Sequence, residues 1–227
     1  HYTTGLVDTI KKIETYMANI AKGHLHDALD YEVLKRDDEL GEMGRNAVRM
    51  QKSLRELVEE DTLTGLNNRR CGEKKLQQTY EDYTKRGISY CVALGDIDFF
   101  KRVNDTYGHD CGDVVLTEIA KRLKYFMRGK GYAVRWGGEE FLLVFPEFHI
   151  DEAEEVMKEF IHELDAHSVF YKEEIEVHIT MTFGIVEAGE QFANIDSMVS
   201  GADRRLYIGK QNGRNQIVAE ERSEQDL

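Results

Sequence analysis

Proline is almost missing from this chain, with Pro146 the single one in 227 residues, which excludes a collagen-like or proline-rich extended protein. Cysteine is scarce as well. Cys71, Cys91 and Cys111 stand far apart with no C-x-x-C pair, arguing against a zinc site, a redox pair or a secreted disulfide framework, and pointing to a reducing cytoplasm. Long apolar runs are absent. The longest, Phe141 to Phe145, falls far short of the roughly 20 residues a bilayer-spanning helix needs, so no membrane contact is expected of this stretch. Positive charge is in deficit: 30 Lys plus Arg against 43 Asp plus Glu leave a net charge of −13, and no basic face for DNA or RNA. Small phosphorylated ligands stay within reach through metals and local amides. No signal peptide opens the sequence, and the abrupt start at His1-Tyr2 reads as that of a piece cut from a longer protein.

What is present falls into two regimes. Over residues 1–60, apolar residues recur in steps of three and four: Leu6, Ile10, Ile13, Met17 and Ile20, then, after a polar break following Gly23, Leu40, Met43, Ala47, Met50, Leu54 and Leu57. This predicts two helices and one connector. Such narrow stripes bury little alone, so an all-α coiled-coil module paired with a second copy as a four-helix bundle is expected. From Asp61 to about Ala219 strands alternate with amphipathic helices, the signature of an α/β domain. The spacing predicts a helix over Arg69 to Lys85 stopped by Gly87, a buried strand over Tyr90 to Asp96, and a helix with Val115, Leu116, Ile119, Ala120, Leu123 and Phe126 on its core face. Tyr132 to Trp136 and Glu140 to Phe145 flank Gly137-Gly138 as a tight hairpin, which Pro146 ends. Asp151 with Glu154 signals a helix through Leu164. A strand pair over Phe170 to Ile185, a helix over Ile195 to Lys210 and a short strand at Gln216 to Val218 follow, with residues 220–227 expected as a disordered tail. The order describes a ferredoxin-like or polymerase-palm sheet, of α/β (α+β) class.

The N-terminal segment resembles a HAMP module, the signalling relay that follows a membrane helix in many bacterial receptors. Gly23-His24-Leu25 and Asp38-Glu39-Leu40-Gly41 carry the match, while the usual proline early in the first helix is absent. The resemblance implies a full-length parent anchored in the inner membrane with this part in the cytoplasm. An ordinary dimerising coiled coil explains the same stripes without relaying a signal.

Chemistry concentrates in two acidic clusters, Asp96-Ile97-Asp98 at a strand end and Glu139-Glu140 at a hairpin tip. Carboxylates at strand ends can converge on a hard divalent cation, whereas a lone surface acid is by base rate only a solvated charge. The surrounding motifs decide between the two. Asp96-Ile97-Asp98-Phe99-Phe100-Lys101, Asn104-Asp105-Thr106-Tyr107-Gly108-His109, Gly112-Asp113 and Arg135-Trp136-Gly137-Gly138-Glu139-Glu140-Phe141 resemble the signatures of the diguanylate cyclase, or GGDEF, family in its GGEEF form. Asp61-Thr62-Leu63-Thr64-Gly65-Leu66 before them and Lys210 with Gly213-Arg214-Asn215 after them agree.

The resemblance implies condensation of two GTP into cyclic di-GMP with release of two pyrophosphates, each protomer of a homodimer holding one GTP. It assigns Mg2+, or Mn2+ as a substitute, to Asp96, the Ile97 carbonyl, Glu139 and Glu140, with Asp98 a weaker candidate. Glu139 is the expected proton acceptor, assisted by Glu140. Lys101, Lys210 and Arg214, with the Phe99 and Phe100 amides, are expected to hold phosphate charge, Lys101 in the transition state. Asn104 and Asp113, with His109 beside them, are assigned to guanine, whose N1 and N2 hydrogens an acid can accept. Asp113 could instead merely cap a helix and Asn104 merely form a turn. Gly137 and Gly138 keep side chains out of the nucleotide's approach and suit a turn at positive φ. Trp136 and Phe141 read as packing residues.

One departure stands out. Many family members carry Arg-x-x-Asp, an inhibitory product site, before the diglycine, where this chain has Arg128-Gly129-Lys130-Gly131, so product feedback there is expected to be weak or absent. Two competitors remain open: a catalytically silent nucleotide-binding module, and a cyclase with altered base choice.

Overall fold

The computed structural model describes residues 2–219, so the expected tail at 220–227 lies outside the described residues. The chain divides into two compact units, residues 1–60 and 61–227.

The first unit holds α1 (Tyr2–Ala21), α2 (Tyr31–Leu34) and α3 (Glu39–Glu59), with no strand among its described residues. The one-turn α2 was not foreseen. Asp30 caps it by accepting the Glu32 N–H, and Val33 is drawn into the core with Leu25 and Leu29. The sequence stripes are only half used inside the unit. Ile13, Ile20 and Ala47 are buried, but Leu6, Ile10, Met17, Met43, Met50, Leu54 and Leu57 stay exposed. Tyr16 and Gln51 complete the interior, the Tyr16 hydroxyl donating to Gln51 Oε1 at 2.7 Å and Gln51 Nε2 donating to the Asp27 carbonyl at 2.9 Å.

The second unit carries α4 (Arg69–Arg86), β1 (Tyr90–Ile97), α5 (Phe100–Tyr107), α6 (His109–Phe126), β2 (Tyr132–Arg135), β3 (Glu140–Pro146), α7 (Ile150–Ala166), β4 (Val169–Tyr171), β5 (Ile175–Val177), β6 (Met181–Glu187), α8 (Ile195–Gln211) and β7 (Ile217–Val218). The main sheet runs β2-β3-β1-β6-β7, antiparallel except for β6 with β7. The first four of these strands follow the β-α-β-β-α-β ferredoxin-like plan. β1 is central and buried along its whole length, because both faces are covered. Cys91, Ala93 and Ile97 face the core beneath α5, α6 and α7, whereas Tyr90, Val92 and Leu94 face α4 and α8. All three cysteines are buried free thiols, and burial pushes the Cys91 thiol up to about 12.

Three local expectations change. The last strand pair is instead the separate β4–β5 hairpin plus β6 in the main sheet; Lys172 and Glu173, both at positive φ, turn the hairpin. The helix expected from Asp151 begins one residue earlier. Its cap is His149, paired with Glu152, and Glu187 at the end of β6 anchors this start by accepting from His149 Nδ1 and the Ile150 N–H. The diglycine hairpin is wider than a two-residue turn. Trp136 to Glu139 form its loop, closed by the Trp136 N–H donating to the Glu140 carbonyl at 2.8 Å, and neither Gly137 nor Gly138 has positive φ. A Cβ on Gly138 would meet nothing within 4 Å, whereas one on Gly137 would press on the Glu140 carboxylate.

Candidate active site

β1 and β3 bring the two acidic clusters together. Asp96 lies directly opposite Glu140 in the ladder, and the Ile97 N–H donates to the Glu139 carbonyl at 3.3 Å. α8 lies on the same face as Asp96 and delivers Lys210, whose Nζ stands 2.9 Å from Asp96 Oδ2. A cavity of about 440 Å3 opens beside them, lined by Glu140, Asp203, Tyr207 and Lys210 among others.

Burial pushes the Asp96 carboxyl above the usual range, with Lys210 pulling part of the way back. Burial and then the Asp96 charge raise Glu139 likewise. Two partly desolvated carboxylates pressed together at a strand end fit a hard cation. Among the described residues no three His, Cys, Asp or Glu side chains gather as a cage. The residues therefore suit a metal that takes its remaining ligands from main chain, water and substrate phosphate.

Asp98 is corrected from metal candidate to structural acceptor. It is 5% exposed, and its oxygens are taken by Thr180 Oγ1 (2.7 Å), Thr182 Oγ1 (2.7 Å) and the Asn215 N–H (3.0 Å).

Phe99 takes a left-handed conformation at φ 56°, with no side-chain hydrogen bond capping the first turn of α5. That leaves helix-start amides for an anion. Phe99 is exposed, and the Arg214 guanidinium lies over its ring at 4.5 Å. Phe100 is buried, so only its backbone can serve a ligand. Lys101 is exposed and makes no ion pair among the described residues.

The bland readings of Asn104 and Asp113 do not fit. Asn104 lies within α5, and Asp113 is the fifth residue of α6 rather than its cap. The two helices pack so closely that a Cβ on Gly112 would collide with the Asn104 side-chain oxygen, and this brings Asn104 beside the turn bearing Asp113. Asp113 and His109 are solvent-exposed. Trp136 packs with the α4–α8 face of the core, with Arg69 over its ring at 4.6 Å, and Phe141 is fully buried.

Arg128 stands apart, in the turn after α6, over the Tyr125 ring at 5.5 Å. Gly131, where a product site would need its acid, is pressed against β3, and any Cβ would collide with the Val144 carbonyl. Gly131→Asp should therefore destabilise the fold by about 1–3 kcal/mol without creating product inhibition, checked by chemical denaturation and turnover with added product.

Sequence reasoning passed over one connection. Asp61 Oδ1 accepts from the Thr64 N–H, Thr64 Oγ1 and Arg135 Nη1 at 2.7–2.9 Å, and Arg135 Nη2 donates to the Gly138 carbonyl at 3.0 Å. Burial would raise the Asp61 carboxyl, yet Thr64 and Arg135 outweigh it and hold it below the usual range. A depressed acid stabilises the fold above its unfolded pKa and loses that contribution as pH falls through the folded one. Asp61→Asn should accordingly cost about 1–3 kcal/mol at neutral pH, the gap from the parent closing in acid, as read by urea unfolding across pH.

The site thus joins paired acids at the end of the central strand of an α/β domain to a lysine from the last helix and an arginine from the turn after it. The family pattern described as diguanylate cyclase, GGDEF domain, matches residues 58–216. Diguanylate cyclase A of Treponema denticola is 36% identical over 127 residues, which are 56% of this chain and 34% of that protein. The response regulator PleD of Caulobacter vibrioides is 33% identical over 165 residues, 72% of this chain and 36% of that one. Among solved structures, the coiled coil and GGDEF domain of DgcB from Caulobacter crescentus, in complex with c-di-GMP, superposes with a TM-score of 0.72 at 28% identity, covering 80% of this chain and 97% of that one. The chain belongs to the GGDEF family of diguanylate cyclase domains. It spans about a third of the length of those two curated relatives.

Proposed function

We propose that the chain condenses two GTP into cyclic di-GMP, releasing two pyrophosphates, as a dimer that faces two nucleotide-loaded domains toward each other. The observation that carries this reading is that β1 and β3 set Asp96 opposite Glu140, with the Glu139 carbonyl accepting from the Ile97 N–H and Lys210 Nζ 2.9 Å from Asp96, at one end of the sheet. In each half-reaction the 3′-oxygen of one nucleotide forms a bond to the α-phosphorus of the other, and the bond from that phosphorus to the bridging oxygen breaks, freeing pyrophosphate. Glu139, kept basic enough by burial and by its acidic neighbour, takes the 3′-hydroxyl proton. Asp96, the Ile97 carbonyl and Glu139, with Glu140 assisting, would hold Mg2+, which when bound neutralises triphosphate charge and acidifies the attacking hydroxyl. Lys101, Lys210, Arg214 and the amides at the start of α5 bind phosphate oxygens, while Asn104 and Asp113 hold the guanine edge. GTP supply and buried thiols favour a cytoplasmic reaction; no helix among the described residues is long and apolar enough to cross a membrane, and the anchor is assigned to a longer parent.

Residues 1–60 serve, in this proposal, as a HAMP-like dimerising relay whose occupant is a second copy of itself. Its exposed Leu6, Ile10, Met17, Met43, Met50, Leu54 and Leu57 continue the register of buried Ile13 and Ala47, which is what a half-filled seam leaves open. α3 ends at Glu59, and only Glu60 separates it from Asp61. Inserting two residues after Leu57 should alter turnover far more than inserting a full heptad of seven, because only the first changes register; equal effects in a pyrophosphate-release assay would remove the relay.

The function itself is tested by incubating the purified protein with GTP, ATP and Mg2+ and separating the products. A guanine-only cyclic dinucleotide with two pyrophosphates per product is expected. Nucleotide binding without pyrophosphate would leave a silent receptor module, and an adenine-containing product would leave a cyclase of different base choice.

A further inference from the structure

We propose that Asp98 is a positioning residue for the triphosphate end of the site: a buried latch that ties the Gly213–Asn215 turn, and with it Arg214, to the acidic end of β1. The inference rests on the proposed GTP reading and deepens it.

Asp98 follows Ile97, the last residue of β1, and precedes Phe99, the residue under Arg214. Its own N–H donates to the Thr180 carbonyl at 2.9 Å, and its two oxygens accept three hydrogen bonds, two from threonine hydroxyls flanking the start of β6 and one from the Asn215 N–H. The carboxylate is thus used up in joining three segments of chain more than 30 residues apart in sequence.

The turn it holds would not choose this shape unaided. Arg214 (φ 65°) and Asn215 (φ 45°) are both left-handed without being glycine, a conformation that persists only when the surroundings over-determine it. The surroundings tether it, Gln216 Nε2 donating to the Arg214 carbonyl at 3.3 Å and three further contacts reaching other elements. The Arg214 N–H donates to the Gly209 carbonyl of α8 at 3.0 Å, Asn215 Nδ2 reaches the Asp165 carboxylate of α7 at 3.2 Å, and the Asn215 N–H reaches Asp98. Of these only Asp98 directly follows the strand that carries Asp96. It therefore fixes the distance between acids and arginine, keeping the guanidinium over Phe99 at the start of α5. Lys210, one turn back in α8, meets Asp96 directly and needs the latch less.

A latch and a metal ligand make different predictions for Asp98→Asn, which keeps the shape but cannot accept all three donors. With the full chain in excess EDTA, binding of GTP and of GMP is measured by calorimetry for the parent, Asp98→Asn, Arg214→Ala and the double variant. The expected result is a roughly tenfold loss of GTP affinity in Asp98→Asn, little change for GMP, and a double variant no weaker than Arg214→Ala, since the latch acts through that arginine. Fully additive losses, or unchanged GTP affinity in Asp98→Asn, would overturn the latch. If Asp98→Asn does not fold, Thr182→Val removes one of the three donors and should give a smaller loss of the same selectivity for GTP over GMP; no loss there overturns the proposal equally. A parent protein that binds no GTP with or without Mg2+ sinks the functional reading instead, so the two failures are told apart.

Discussion

Replacing Glu139 by glutamine should lower kcat at least roughly 10³-fold while the metal-free protein melts at a higher temperature than the parent. The first effect follows from removing the proposed proton acceptor and a proposed metal-binding oxygen from one position. The second follows from the sign of its shift. Burial, then the Asp96 charge, raises the Glu139 carboxyl, so the folded state binds its proton more tightly than the unfolded state does. Such a group adds stability only below its unfolded pKa and loses that contribution as pH rises through the folded one, so at neutral pH the charged carboxylate weighs against folding. A neutral amide of the same shape escapes that opposition. Calorimetric melting in EDTA, beside a pyrophosphate-release assay in Mg2+, checks both halves. A fall in activity accompanied by a lower melting temperature would mean that Glu139 is a structural residue.

Asp113→Asn should collapse discrimination between GTP and ATP by roughly 10²-fold, without altering the melting temperature. A carboxylate offers only acceptors, matching the N1 and N2 hydrogens of guanine, and each charge-assisted hydrogen bond is worth about 1.5–3 kcal/mol. An amide offers one acceptor and one donor, which suits the N6 hydrogens and N1 of adenine. The change therefore weakens one nucleotide and welcomes the other. Because Asp113 is exposed on α6, its removal leaves the packing intact. Ratios of kcat/KM for the two nucleotides, with chromatography of products, read the effect; an unchanged ratio would move base recognition away from α6. Gly112 guards the same geometry from below, since any side chain there would displace Asn104.

Much of the second unit could be read from the sequence because its signals are local. An apolar run read as a buried strand over Tyr90 to Asp96, a helix stopped at Gly87, and acids at a strand end and a hairpin tip all lie within short windows. What escaped was decided by distant partners. Asp96 and Asp98 are chemically identical and two residues apart, and it is Thr180, Thr182 and Asn215, 82, 84 and 117 residues beyond Asp98, that occupy the oxygens of the second. Asp61 and Arg135 are separated by 74 residues, so their ion pair left no periodic trace. In the first unit the stripes were legible, but periodicity cannot tell whether a seam closes on its own chain or on another, and here Ile13 and Ile10 of one stripe meet opposite fates. The diglycine departs from expectation on a single point: neither glycine takes a positive φ.

The enclosed thiol of Cys91 gives the catalytic sheet a built-in reporter. It sits fully covered on the central strand, whose backbone at Cys91 pairs with Phe145 of β3 and Glu187 of β6, the thiol itself donates to the Phe148 carbonyl at 3.5 Å, and its proton is held tightly by burial. An alkylating reagent can meet it only after the ladder parts, so the labelling rate measures how often the platform beneath Asp96 opens rather than how often surface loops move. Nucleotide bound to the closed sheet should slow that labelling in proportion to its occupancy, turning an unremarkable buried cysteine into a gauge of ligand-induced rigidity.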